Sequence, residues 1–294
     1  MPSYAFETVD VFTDRRFGGN PLAVFTDGRG LSTEQMQALA FEFNLSETTF
    51  ILPPAHSENS ARVRIFNRTA EMAFAGHPSI GAAFVIARNG LAPGDQLRLE
   101  VPAGIVAVSL EREAGDVIGG RITAPQPLST GAELPADVVA ACIGLNADEI
   151  VTSTHAPIFA SVGVWFALAE VRYDALPRCA PDITAFRKAM GAGHLTEGRL
   201  SLFVYARDGS DVRARMFAPV AGTWEDPATG SASATLAALL LRCSTTNENA
   251  FTIRQGEEMG RPSVLRVSAA RRGGEIVASV AGRCVRMMRG EASV

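Results

Sequence analysis

The sequence has few cysteines, few histidines, no long apolar run and almost no excess of charge. Four cysteines stand in 294 residues: Cys142, Cys179, Cys243 and Cys284. They are far apart and form no CxxC, so neither a disulfide framework nor a zinc ribbon is expected, and a reducing compartment suits them. The four histidines, His56, His77, His155 and His194, make no HExxH or HxH pair, and no metal site is expected. With 27 basic and 31 acidic side chains the net charge is -4 and no basic run occurs, which argues against nucleic acid as a partner. The longest apolar stretches, near Ile80–Ala87, Ala160–Ala169 and Leu236–Leu241, are about half the ~20 residues a bilayer requires. The opening MPSYAFETVDVF carries Glu7 and Asp10 where a signal peptide would be basic and then apolar, so a cytoplasmic location and no membrane contact are expected. Gly76 and Gly81 bracket four residues but no Lys-Ser/Thr follows, and no GxGxxG follows a strand, so nucleotide cofactors lack a cradle.

What is present is strand-forming sequence. Tyr4–Phe12, Leu22–Phe25, Ser46–Leu52 and Ala61–Phe66 read as strands in the first quarter. Between them Ser32-Thr-Glu-Gln35 is a capping box, and Met36, Leu39, Ala40 and Phe43 then mark one helical face that Asn44 ends. The middle offers Leu97–Val101, Ile105–Leu110, Val117–Thr123, Val162–Leu168, Leu200–Ala206 and Val212–Phe217 as strands, with a helix at Asp182–Met190. Phe251–Arg254, Val264–Val267, Ile276–Val280 and Cys284–Met288 follow as short strands, with turns at Gly256, Gly260, Gly273 and Gly282. Strands outnumber helices, which predicts an α+β fold. The length allows one large domain or two of ~150 residues.

Two segments resemble each other. Arg62-Val-Arg-Ile-Phe66 leads through a loop to Gly76-His77-Pro78 and an apolar run to Ala87. Arg213-Ala-Arg-Met-Phe217 leads through a loop to Gly230-Ser231 and an apolar run to Leu241. From Arg62 to Arg213 is 151 residues, half the chain, which suggests two similar lobes with one site between them. Both runs are apolar on nearly all sides, as in a buried helix. Pro78 suits a first helical position and Ser231 an N-cap. A buried helix start leaves N–H groups at the positive end of a dipole, so it can hold a carboxylate or a developing anion. A tidy helix start with no ligand is the plainer alternative.

Glu47, Glu71, His77, Glu225 and Asp226 are the ionisable residues near these turns. A part-buried glutamate at position 47 has the means to accept and return a proton. A solvent-facing Glu47, a capping His77 and a turn-starting Asp226 are the alternatives.

These residues carry a resemblance. Gly19-Asn-Pro-Leu-Ala-Val-Phe25, Asn44-Leu-Ser-Glu-Thr-Thr-Phe50, Arg64-Ile-Phe66, Phe74-Ala-Gly-His-Pro78, Arg215-Met-Phe-Ala-Pro219, Glu225-Asp-Pro-Ala-Thr-Gly-Ser-Ala232 and Gln255-Gly through Ser263 are similar to the PhzF-like family of phenazine biosynthesis, of diaminopimelate epimerase-like fold. The resemblance implies two lobes, each a curled mixed or antiparallel sheet around a central buried helix. By position these are 1–117, with 283–294 packing back on it, and 118–282. It also implies a homodimer without cofactor and a small carboxylated substrate. On this reading Glu47, His77 and Asp226 are catalytic, and Gly76, Gly230 and Ser231 bind substrate. The expected reaction is a proton shift on a cyclic unsaturated compound like dihydro-hydroxyanthranilate. Racemases of similar layout carry a cysteine in each glycine turn, where this chain has Ala75 and Pro227. An amino-acid epimerase or racemase and a non-catalytic metabolite-binding protein are the alternatives.

Overall fold

Eighteen strands and five α-helices form in a computed structural model that describes residues 2–294. They belong to two units. The first runs to Thr123 and adds Ala281–Val294; the second is Ala124–Val280.

The first unit contains β1 (Ser3–Val11), β2 (Asn20–Phe25), α1 (Thr33–Phe43), β3 (Glu47–Leu52), β4 (Ala61–Phe66) and β5 (Glu71–Met72). It continues through α2 (Gly76–Arg88), β6 (Gln96–Val101), β7 (Gly104–Glu113) and β8 (Asp116–Thr123). Pairing runs β1, β2, β3, β4, β6, β7, β8. The last strand of the chain then pairs with both β8 and β1. The sheet is therefore closed on itself as a barrel, rather than merely curled. Its centre is α2, whose residues from Gly76 to Ile86 are all buried. A helix enclosed by strands needs apolar side chains on every face, which is why the run lacks amphipathic spacing. Gly81 lets it lie close, since a Cβ there would sit 2.5 Å from a Leu22 methyl carbon. Outside the barrel, α1 starts on Ser32 with the full capping box to Gln35 and stops at Asn44 in the left-handed conformation. Met36 and Ala40 are buried against Phe25, Phe50 and Phe66.

The second unit contains β9 (Ser129–Glu133), α3 (Ala136–Ile143), β10 (Ile150–Val151), β11 (Ile158–Ser161), β12 (Trp165–Val171) and α4 (Ile183–Gly191). After these come β13 (Leu202–Asp208), β14 (Asp211–Ala218), β15 (Thr223–Asp226), α5 (Gly230–Arg242), β16 (Glu248–Gln255) and β17 (Ser263–Arg272), and the last strand, β18 (Glu275–Ser293), begins in this unit and from Ala281 onward belongs to the first. Pairing runs β9, β11, β12, β13, β14, β16, β17. The parallel contacts β12–β13 and β14–β16 repeat the parallel contacts β2–β3 and β4–β6 of the first unit. The buried helix α5 packs on β16 and β17. On the other face, α3 and α4 cover a core that includes Ile143, Phe186, Leu202 and Phe217.

Three local expectations are corrected, and one helix is added. Val162–Leu168 is not one strand: the chain turns at Gly163, whose φ is +136°, and Ser161 pairs with Trp165 across the hairpin. An unbroken apolar run hides such a turn. Ile276–Val280 and Cys284–Met288 are parts of one strand, β18, with no turn at Gly282. That glycine is required by contact instead, since a Cβ on it would lie 2.3 Å from the Phe12 ring. The helix α3 escapes the sequence because Pro135 precedes it without a capping side chain. Finally, α2 begins at Gly76, so Pro78 is its third residue, and the N-cap of α5 is Thr229, so Ser231 is its second.

Candidate functional site

Glu47 is placed by the end of α1. The left-handed Asn44 turns the chain out of the helix, and three residues later Glu47 opens β3, paired in parallel register with Leu22. His77 is the second residue of α2. The two side chains meet: His77 Nε2 lies 3.1 Å from Glu47 Oε2, with 7% and 15% of the side chains exposed. Neither atom has any other hydrogen-bond partner, and their mutual approach is off the line of an ideal bond. Glu47 Oε2 and His77 Nε2 thus face each other with no further partner for either atom.

The same helix end presents main-chain donors. Its N-cap, Ala75, has no side chain able to cap. Pro78 has no N–H, and the Ser79 N–H bonds to the Ala75 carbonyl. The Gly76 and His77 N–H groups therefore stand at the dipole's positive end, beside Glu47.

The second unit builds a related but different turn. Asp226 ends β15 and is 8% exposed. Its Oδ2 accepts a 2.6 Å hydrogen bond from the Thr229 hydroxyl. That hydroxyl, on the N-cap residue of α5, makes no capping bond. The Ser233 N–H bonds to the Thr229 carbonyl, so the first-turn donors of α5 are those of Gly230, Ser231 and Ala232. Buried Gln255 and Ser263 hold the turn from β16 and β17: Gln255 bonds to Thr229 and Asp226, and the Ser263 hydroxyl donates to the Pro227 carbonyl at 2.9 Å.

Each turn is tied to its sheet by an arginine clamp. Arg64 meets Glu71 through Nε at 2.8 Å and a terminal nitrogen at 2.6 Å, and lies over the Phe66 ring. Arg215 meets Glu225 at 2.8 Å through both nitrogens, lies over Phe217, and donates to the Cys179 carbonyl at 2.6 Å. Fork-to-fork pairing fixes direction as well as distance. The Arg64 guanidinium holds the Glu71 carboxyl below its ordinary range.

Strand register makes the two halves comparable residue by residue. Thr48 pairs with Phe66 as Leu202 pairs with Phe217, so Ser201 occupies the position of Glu47. Counting from the clamps, Glu71 to Gly76 equals Glu225 to Gly230. Met72 thus stands where the second unit has Asp226, Ala75 where it has Thr229, and His77 where it has Ser231. Arg62 pairs with Glu100 as Arg213 pairs with Arg254, so Val101 corresponds to Gln255. Glu47 and His77 are in one copy, and the carboxylate held by a hydroxyl is in the other.

The thiols are elsewhere. Cys142, Cys179 and Cys284 are buried and Cys243 is exposed at the far end of α5. Burial pushes the Cys142 thiol up to about 11 and Cys179 up to about 12, so both stay protonated and unreactive near neutrality. Among the described residues no group of three or more His, Cys, Asp or Glu converges as a metal site, and no helix is long and apolar enough to cross a membrane.

The structure thus brings Glu47 and His77 together with the Gly76 backbone, and gathers Asp226, Gly230 and Ser231 at the start of α5. Sequence reasoning passed over Thr229, Gln255 and the two clamp arginines. Their one signal was that Gln255–Ser263, Arg64 and Arg215 lie in the motif stretches without an assigned task.

The profile of the family described as phenazine biosynthesis-like protein, PhzC–PhzF, matches residues 9–290. An uncharacterized isomerase of Mesorhizobium japonicum is 36% identical over 292 residues, covering 96% of each chain. The trans-2,3-dihydro-3-hydroxyanthranilate isomerase of Pseudomonas aeruginosa is 35% identical over 283 residues, covering 94% of each. Among solved structures, a PhzF-family phenazine biosynthesis protein of Bacillus anthracis superposes with a TM-score of 0.88 over the full length of both chains at 23% identity. A hydroxyproline epimerase of Agrobacterium vitis shares the fold at a TM-score of 0.70 and 14% identity, covering 99% of this chain and 93% of its own. The chain belongs to the phenazine biosynthesis-like (PhzC–PhzF) family of isomerases.

Proposed function

We propose that this isomerase works without a cofactor and moves a proton on a small, carboxylated, cyclic unsaturated substrate of the dihydro-hydroxyanthranilate type. The observation that carries the proposal is the pairing of part-buried Glu47 with buried His77 beside an uncapped helix start. Glu47 takes a proton from a ring carbon. The C–H electrons shift along the adjacent double bond, and the same carboxyl returns the proton to the far end of that system, on the same face. His77 orients the carboxyl and shares its proton while the carbon is deprotonated. The N–H groups of Gly76 and His77 hold the substrate carboxylate or the charge that develops on it. In the second unit, Asp226 offers a substrate an acceptor, and the Gly230 and Ser231 backbones offer it donors.

The absence of a carboxylate or thiol at Ser201 and Ser231 supports one base rather than two. A racemase needs a second base on the opposite face, and the thiols that would serve are buried and protonated or lie at the far end of α5. A homodimer in the cytoplasm completes the reading, and light scattering on the purified chain checks the assembly.

The test is turnover of trans-2,3-dihydro-3-hydroxyanthranilate in heavy water. Wild type is expected to form isomer carrying one solvent deuteron wherever Glu47 exchanges before reprotonation. Glu47→Gln is expected to lose about 10²–10⁴-fold in kcat. Full activity with unchanged deuterium incorporation in that variant would falsify the assignment of Glu47.

A further inference from the structure

The polar atoms at the start of α5 fix one another's direction. The Thr229 N–H, which only donates, points at Gln255 Oε1 at 3.0 Å. The Asp226 carbonyl, which only accepts, lies 2.8 Å from Gln255 Nε2. These two contacts leave one orientation for the Gln255 amide. Its Nε2 also reaches the Thr229 hydroxyl at 3.0 Å. An amide nitrogen donates and does not accept, so the hydroxyl oxygen accepts there and its single proton points elsewhere. It points to Asp226 Oδ2, 2.6 Å away. The relay therefore runs one way, from Gln255 through Thr229 to Asp226, among side chains that are 1%, 7% and 8% exposed. Removing Thr229 from capping duty is the local cost, and it leaves the α5 donors uncapped.

The first unit has none of this. The positions of Gln255, Thr229 and Asp226 are filled there by Val101, Ala75 and Met72. The polarity of the relay is thus a property of one copy of the repeat, added to a turn that the other copy builds without it.

We propose that Gln255 and Thr229 are positioning residues that hold Asp226 as a one-way hydrogen-bond acceptor. The substrate group that Asp226 receives is then a donor, an amino or hydroxyl group. The statement about substrate rests on the function proposed above; the relay itself does not.

Two measurements keep these apart. The first is NMR of the hydroxyl proton of Thr229, which needs no substrate. A slowly exchanging hydroxyl signal with contacts to the Gln255 amide protons is expected in the wild-type chain, and its loss is expected in Thr229→Val. The second is turnover of trans-2,3-dihydro-3-hydroxyanthranilate. Thr229→Val, which keeps the shape, is expected to lower kcat/KM about tenfold or more, with the larger part in kcat. Thr229→Ser, which keeps the hydroxyl, is expected to restore it to within about threefold of wild type. Absence of the hydroxyl signal in wild type overturns the relay, and so does wild-type turnover by a folded Thr229→Val. If the wild-type chain does not turn over this compound, the proposed activity falls and the hydroxyl signal alone decides the relay.

Discussion

Glu47 and His77 are held by backbone rather than by side-chain partners. Each is fixed at its α-carbon, one by a strand start and one by a helix start, and each spends its polar tip on the other. The clamps carry the opposite load. Arg215 and Glu225 are nearly buried, and the arginine also serves main-chain carbonyls around Cys179. Arg215→Met is expected to cost about 3–5 kcal/mol in denaturant unfolding, because Glu225 is left as an unpaired buried charge. The half-buried Arg64–Glu71 pair is weaker, and Arg64→Met is expected to cost about 1–3 kcal/mol. The Glu71 carboxyl is lowered first by its hydrogen bonds to Arg64, so it binds its proton less readily folded than unfolded. Its contribution is complete above the unfolded value of about 4.3 and fades as pH falls through the lower folded value. Glu71→Gln is expected to flatten that acid loss, read as Tm against pH.

At the scale of elements, the two central helices do two tasks at once. Their apolar surfaces fill the interior, and their N-termini stay polar because neither N-cap provides a capping side chain. The contrast is α1, a surface helix whose Ser32 and Gln35 satisfy its first turn. Ser32→Ala is expected to cost about 1 kcal/mol with activity retained, measured by unfolding and turnover together. The clamped short strands β5 and β15 set the height at which α2 and α5 begin. They transmit sheet geometry to Gly76 and Gly230 over five residues in each copy.

For the whole molecule, the final strand decides whether the first unit is a barrel or an open sheet. β18 pairs with β1 from Ser3 to Val11 and also with β8. The backbones pass so closely that a Cβ on Gly119 would lie 2.1 Å from the Gly282 carbonyl oxygen. Gly119→Ala is expected to destabilise the unit by about 1–3 kcal/mol or more. Deleting residues 281–294 is expected to expose the edges of β1 and β8 and to abolish cooperative unfolding of the first unit, seen as lost hydrogen-exchange protection in α2.

Much of this was readable in one dimension. Ser32, Gln35 and Asn44 announce α1 because capping is a contact between neighbours in sequence. The half-length repeat and the all-apolar runs after Gly76 and Gly230 announce two enclosed helices, because burial on every side leaves no room for polar residues. Glu47, His77 and Asp226 were legible as ionisable groups near those turns, and their motifs carried the family. What tertiary structure alone decided is who faces whom. His77 comes to Glu47 across 30 residues of chain, and Gln255 comes to Asp226 across 29. Those meetings depend on strand register and on which edge a strand docks against, and no local periodicity encodes either. The same holds for Gly282, which reads as a turn in sequence and is a point of close contact in space, because only the folded neighbour, Phe12, makes a side chain impossible there.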